Sequence, residues 1–125
     1  MDTLGIHIIL DVWGVKPELL REINFVQATM LLAAESSKVS ILGAKFHQFE
    51  PEGVSGYVLI AESHISIHTW PANGYASLDI YTCGEKSFPK KAMEVLLKAF
   101  APTKYNVLMI SRGQSIDRMA VTEAN

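Results

Sequence analysis

Cysteine is almost missing from this chain: Cys83 is the only one. No internal disulfide can form, which agrees with a reducing compartment and leaves one available thiol. Long hydrophobic runs are missing too. The longest, such as Ile6–Leu10 and Tyr57–Ala61, fall far short of the roughly 20 residues a membrane-spanning helix needs, and the N-terminus lacks the basic-then-apolar order of a signal peptide. A cytoplasmic protein is expected, with no membrane partner. Nor is charge of one sign concentrated anywhere. Eleven Lys and Arg are scattered among thirteen Asp and Glu, for a net charge of −2, which leaves no basic footprint for a nucleic-acid backbone.

What is present is enough apolar material for one core. The chain has 125 residues, 49% of them hydrophobic, which suits a single domain over 1–125 and is too little for two. Gly5–Trp13 is a β-rich run closed by Gly14 and Pro17. From Pro17 to Ser37, Leu19, Ile23, Val26, Met30, Ala33 and Ala34 recur at offsets of three and four, predicting one amphipathic helix. Lys38–Phe49 and Val54–Ala61 read as strands around the turn Glu50-Pro51-Glu52-Gly53. Ile65–Trp70, the turn Pro71-Ala72-Asn73-Gly74 and Tyr75–Thr82 read as a further hairpin. Phe88 to Phe100 carries a second helical stripe that stops before Pro102, Tyr105–Ser111 is a last strand, and Arg112–Asn125 has no period and reads as a loose tail.

Six strands and two helices with short central connections predict an α+β fold, a two-layer sandwich with a largely antiparallel sheet and both helices on one face. Strand–helix–strand occurs twice without matching residues, an echo in architecture and not a sequence repeat. The strands Val54–Ala61 and Ile65–Trp70 look apolar on both sides. The open sheet face is therefore expected to meet a partner subunit or another packing surface.

Chemistry-bearing residues gather in Ala61–Gly84. Ser63 follows Glu62 between two strands, where its hydroxyl either caps a turn or attacks the carbonyl just before it. His64 and His68 have the spacing that puts two metal ligands on one helical face, but the Ile-Ser-Ile between them favours a strand, where they stand about 13 Å apart, too far for one ion. No metal site is expected. Cys83 at a strand end is either an accessible thiol or a small buried hydrophobe. Phe49 and Trp70 are either core aromatics or stacking faces for a flat ligand.

The motifs Gly53-Val54-Ser55-Gly56, Glu62-Ser63-His64, Ile67-His68-Thr69-Trp70-Pro71, Gly74-Tyr75 and Thr82-Cys83-Gly84, in that order, resemble the small prokaryotic S-adenosylmethionine decarboxylase proenzymes. These are pyruvoyl enzymes. The resemblance implies that Ser63 attacks the Glu62 carbonyl to give an ester, that a base removes the serine α-proton, and that elimination and hydrolysis leave a pyruvoyl group. The products are a β chain 1–62 and an α chain 63–125. It further implies that His68 and Ser55 assist processing, that Cys83 returns a proton to the product carbon, and that Phe49, Ile65 and Trp70 bind substrate. A Schiff base to the pyruvoyl carbonyl then delocalises the carbanion left by carbon dioxide. The implied product is the aminopropyl donor for spermidine.

If Ile65–Trp70 is extended, Ser63 and His68 are up to about 16 Å apart, beyond hydrogen-bond reach. A two-fold homodimer is therefore expected, with Ser55, His68 and Phe49 of one subunit beside Ser63 and Cys83 of the other. One position departs from the resemblance. Ala72 stands where the family commonly has a glutamate that binds the substrate ribose, and Asn73 is the nearest substitute. A pyruvoyl-dependent decarboxylase of arginine or ornithine is the alternative reading, and a non-catalytic nucleoside-binding domain is the alternative outside enzymes.

Overall fold

The computed structural model describes residues 3–36, 40–61, 63–83, 88–114 and 121–123. Ser37 and Lys38, expected at a helix end and a strand start, lie outside the described residues, as do Glu62 and Gly84, expected at the site. The elements are β1 (Gly5–Trp13), α1 (Pro17–Arg21), α2 (Ile23–Glu35), β2 (Ile41–Gln48), β3 (Val54–Ile60), β4 (Ser63–Trp70), a 3-10 turn (Pro71–Asn73), β5 (Tyr75–Cys83), α3 (Phe88–Phe100), β6 (Lys104–Arg112) and β7 (Val121–Glu123). The strands form one antiparallel sheet in the order β2-β3-β4-β5-β1-β6-β7.

Two-residue alternation builds one buried face of this sheet. Ile8, Leu10 and Val12 on β1, Val58 and Ile60 on β3, Ile65 and Ile67 on β4, and Ala76, Leu78 and Ile80 on β5 are all buried. Helix α2 crosses β2, β3 and β4, and α3 crosses β1 and β5. They seal that face with Val26, Met30, Ala33 and Ala34 from α2 and Ala92, Leu96 and Phe100 from α3. Each large aliphatic side chain so buried contributes about 1.5–3 kcal/mol, so this apolar seam is what fixes the helix layer. The expected α+β sandwich is the fold that forms.

Two expectations are corrected. The single helix over Pro17–Ser37 is broken at Glu22, which is extended at φ −121°, ψ 148°. The backbone groups that an unbroken helix would pair internally are taken by the β2–β3 loop instead. Ile23 N–H donates to Gln48 Oε1 at 2.7 Å, and the Arg21 carbonyl accepts from Gln48 Nε2 at 2.9 Å and from Gly53 N–H at 3.1 Å. Of the expected loose tail, residues 115–120 and 124–125 lie outside the described residues, and Val121–Glu123 pairs with β6, making seven strands among the described residues. An open sheet edge offers hydrogen bonds to any extended backbone, so a strand can form there without an apolar period.

Among the described residues the other sheet face carries no helix. From β3 it shows Tyr57 and Leu59, from β1 Trp13 and from β6 Leu108, all exposed. From β4 come His64, Ser66, His68 and Trp70, so β4 is apolar on one side only, against the expectation of two. Period two along β4 and β5 thus sorts aliphatic residues inward and the polar and aromatic ones outward.

Candidate active site

Two clusters of polar residues sit at opposite ends of β4. At the Trp70 end, a groove of about 350 Å³ lies between the β2–β3 loop and the 3-10 turn, with Phe49, Ser55, His68 and Trp70 among its lining residues. Ser55 and His68 are cross-strand partners, and Ser55 Oγ lies 2.7 Å from His68 Nδ1. With that nitrogen unprotonated the serine hydroxyl donates to it, which leaves Nε2 free to exchange a proton with a ligand. The floor is held by Thr69, which is buried. Its hydroxyl accepts from Val54 N–H at 2.9 Å and donates to the Leu20 carbonyl at 2.8 Å, so it joins β3, β4 and α1.

Trp70 is backed by a row of rings. It stacks on Tyr75 at 5.1 Å, and Tyr75 stacks on Trp13 at 4.2 Å. The Tyr75 hydroxyl donates to Asp11 Oδ1 at 2.8 Å. Burial first, and then the hydrogen bond to the Asp11 carboxylate, push the Tyr75 hydroxyl up to about 12, so it stays a neutral donor at ordinary pH. Beyond the turn Gly74 adopts φ 60°, and a Cβ there would come within 2.9 Å of the Val15 carbonyl. Glycine is required at this close approach.

At the other end, Ser63 is the first residue of β4 and pairs with Ile60, so only Ala61 and Glu62 connect β3 to β4. The serine is buried, in phase with Ile65 and Ile67. Its Oγ accepts from Cys83 N–H at 3.4 Å. Cys83 is the last residue of β5 and a free, half-buried thiol, with Sγ 3.5 Å from the Tyr81 hydroxyl. Tyr81 in turn has the Arg112 guanidinium 5.3 Å from its ring centroid, His64 at 5.7 Å and His7 edge-on at 6.2 Å. His7 Nε2 is hydrogen-bonded to Asp79 Oδ1 at 2.9 Å.

The chain therefore brings together Ser55 with His68, Phe49 with Trp70 across one groove, and Ser63 with Cys83. It does not bring His68 to Ser63: five residues of extended β4 separate them, about 16 Å, and their side chains are out of phase. His64 and His68, both on this strand, share no ion for the same reason. Ile65, expected among the substrate-binding residues, has a fully buried side chain in the helix-covered core, and its backbone lies between β3 and β5. It is a core residue, not a groove wall. Sequence reasoning missed Glu52 in the groove, Thr69 beneath it, Gln48 behind the loop and Tyr81 beside Cys83. Only Tyr81 had a readable signal, since it stands two residues before Cys83 on the same face of an alternating strand.

Fold and site together define an α+β domain with polar groups at both ends of one central strand, Ser55 and His68 on the open sheet face and Ser63 on the helix-covered one. The model of the S-adenosylmethionine decarboxylase family matches residues 6–113. An S-adenosylmethionine decarboxylase proenzyme of Pyrococcus furiosus is 43% identical over 113 residues, covering 90% of this chain and 81% of that protein. One from Sulfurihydrogenibium is 44% identical over 111 residues, 89% and 84% of the two chains. Among solved structures, the adenosylmethionine decarboxylase of Aquifex aeolicus superposes with a TM-score of 0.86 at 32% identity, covering 94% of this chain and 98% of that one. The Trypanosoma brucei AdoMetDC-delta26 monomer, at TM-score 0.61 and 18% identity over 84% of this chain and 45% of its own, shares the fold. The chain belongs to the S-adenosylmethionine decarboxylase family.

Proposed function

We infer that this chain is a proenzyme that cuts itself before Ser63 and then decarboxylates S-adenosylmethionine, with a pyruvoyl group made from Ser63 as its cofactor. The observation that carries the reading is the Ser63–Cys83 contact. The serine at the cut point accepts a 3.4 Å hydrogen bond from the backbone N–H of Cys83, the residue twenty positions on that carries the only thiol of the chain. Ser63 Oγ attacks the Glu62 carbonyl carbon, so a C–O ester bond forms as the C–N bond breaks and the Ser63 nitrogen becomes an amine. A base takes the serine α-proton, elimination frees the Glu62 carboxylate, and hydrolysis of the resulting dehydroalanine releases ammonia. His68, with Nδ1 held by Ser55, is suited to that proton transfer.

The residues present fit the cofactor, since Ser63 carries the hydroxyl from which it is made and the Cys83 N–H reaches that oxygen. When formed, the pyruvoyl group supplies the electron sink for loss of carbon dioxide. Phe49 and Trp70 offer ring faces to an adenine, and the Cys83 thiol returns a proton to the substrate carbon. Because Ser63 and His68 are about 16 Å apart on one strand, a complete site needs two chains. A two-fold homodimer is the arrangement that would set the groove of one subunit beside Ser63 and Cys83 of its partner. The free thiol supports placement in the reducing cytoplasm, and the product would supply aminopropyl groups for spermidine.

The intact mass of purified protein tests the first step. Two fragments divided between residues 62 and 63 are expected. A folded, uncut chain with an unaltered serine overturns the catalytic reading and leaves a binding domain. Carbon dioxide release from S-adenosylmethionine, arginine and ornithine tests the second step, and activity confined to a basic amino acid overturns the substrate.

A further inference from the structure

The groove holds one carboxylate among its described lining residues, Glu52 on the β2–β3 loop, and Ala72 and Asn73 of the 3-10 turn line the same groove. Its side chain is largely covered, 27% exposed, and Oε1 accepts from Arg21 Nε at 2.9 Å. The backbone around it is held as firmly. Phe49 N–H donates to the Gly53 carbonyl at 2.8 Å, Gly53 N–H to the Arg21 carbonyl at 3.1 Å, and Gln48 Nε2 to the Gly53 carbonyl at 3.0 Å. The loop, the broken end of α1 and the start of α2 thus form one hydrogen-bonded block that presents the carboxylate. Among the described residues its second oxygen, Oε2, accepts from no protein group. Opposite, the Ala72 methyl offers no acceptor at all.

We propose that Glu52 is the specificity-determining residue of this groove and that its Oε2 accepts hydrogen bonds from the ribose diol of a nucleoside substrate. The proposal rests on the S-adenosylmethionine reading above and names how this chain recognises that substrate. Phe49 and Trp70 provide ring faces for a base, and a ribose attached to a base so placed is the next group along the groove. A carboxylate oxygen has two lone pairs for two adjacent hydroxyls, and charge-assisted bonds of this kind are about twice as strong as neutral ones. The charge balance chooses between a diol and a cation. Arg21 is already on Glu52, so the pair is close to neutral, and an incoming guanidinium or ammonium group meets a like charge next to its acceptor. A neutral diol meets no such repulsion. Sequence position 72, empty of any acceptor, is compensated from the other wall.

The test uses the processed wild-type enzyme and its Glu52→Ala and Glu52→Gln variants. Adenosine, 2′-deoxyadenosine and 3′-deoxyadenosine are titrated against each, and KM and kcat are measured with S-adenosylmethionine. The wild type is expected to bind adenosine about 10- to 100-fold more tightly than either deoxynucleoside, the range for a hydrogen bond to a charged group. Glu52→Ala is expected to erase that preference and to raise KM by a similar factor while kcat falls far less, with Glu52→Gln between the two. Fragment masses report whether each variant folds and cuts. If the wild type binds the three nucleosides equally or binds none, the proposal is overturned even without the variants. If it prefers adenosine, loses that preference in Glu52→Ala and does not decarboxylate S-adenosylmethionine, the diol site stands and the substrate reading fails. If it decarboxylates S-adenosylmethionine and Glu52→Ala keeps both KM and the adenosine preference, the diol site fails alone.

Discussion

At the Trp70 end of β4 the polar side chains are partnered, with Ser55 on His68 at 2.7 Å and Glu52, on a loop fastened by Gln48, on Arg21 at 2.9 Å. At the Ser63 end the serine is buried and, among the described residues, accepts one hydrogen bond, from the Cys83 N–H at 3.4 Å. One end is a finished surface that needs only a ligand. The other carries a buried serine beside a two-residue connection, and as the proposed nucleophile it must leave its present bonding before it can act. The difference teaches that this chain holds two unlike clusters that one extended strand cannot join, which is the task the proposed dimer is given.

The largest effect that could break this comparison comes from the two ends separately. Ser63→Ala is expected to leave a single uncut chain and no measurable decarboxylation, read by mass and by carbon dioxide release. His68→Ala, at the other end, is expected to slow cutting about 10²–10⁴-fold. Mixed after denaturation and refolding, the two variants should recover cut Ser63 chains within heterodimers. Absence of any cutting in folded, exchanging mixtures would show that both residues act within one chain.

A smaller effect sharpens the account of the groove floor. Thr69→Val keeps the shape but strips partners from the Val54 N–H and the Leu20 carbonyl, both paired with the Thr69 hydroxyl. A cost of about 1–3 kcal/mol for each buried group left unpaired is expected, measured by urea unfolding. An unchanged midpoint would mean that α1 is held by its apolar contacts alone.

The smallest effect is a pH dependence. The Tyr75 hydroxyl is raised from 10.0 to about 12 in the folded protein, so the folded state holds this proton more tightly than the unfolded one. Its contribution is whole below pH 10 and is lost as pH rises from 10 toward 12. Tyr75→Phe should lower stability near neutrality by about 1 kcal/mol, the scale of one hydrogen bond, and should remove part of the alkaline decline seen in thermal melts. Parallel curves for both proteins above pH 10 would refute the role given to Asp11.

Much of the fold was legible because periodicity is local. The alternation in Gly5–Trp13 and Tyr75–Cys83 and the helical stripe of Phe88–Phe100 each name their buried face. The break at Glu22 was not, since it depends on Gln48, 26 residues away, taking the backbone groups of Arg21 and Ile23. Strand β7 was equally hidden, because its pairing with β6 uses backbone groups common to every residue. At the site, Ser55, Ser63, His68 and Cys83 stood out through their motifs. Ile65 was drawn in with them although its aliphatic side chain points to the core, and Glu52 passed for a turn residue.

The sequence alone settled most of its elements, its two-layer class and its family, since these follow from short-range patterns and from motifs close together in the chain. Only the folded sheet decided which motif residues touch. Extended strands separate neighbours in sequence by about 3.3 Å per residue and bring distant ones within hydrogen-bond reach. That is why His68 stands far from Ser63, five residues before it, and close to Ser55, thirteen residues before it.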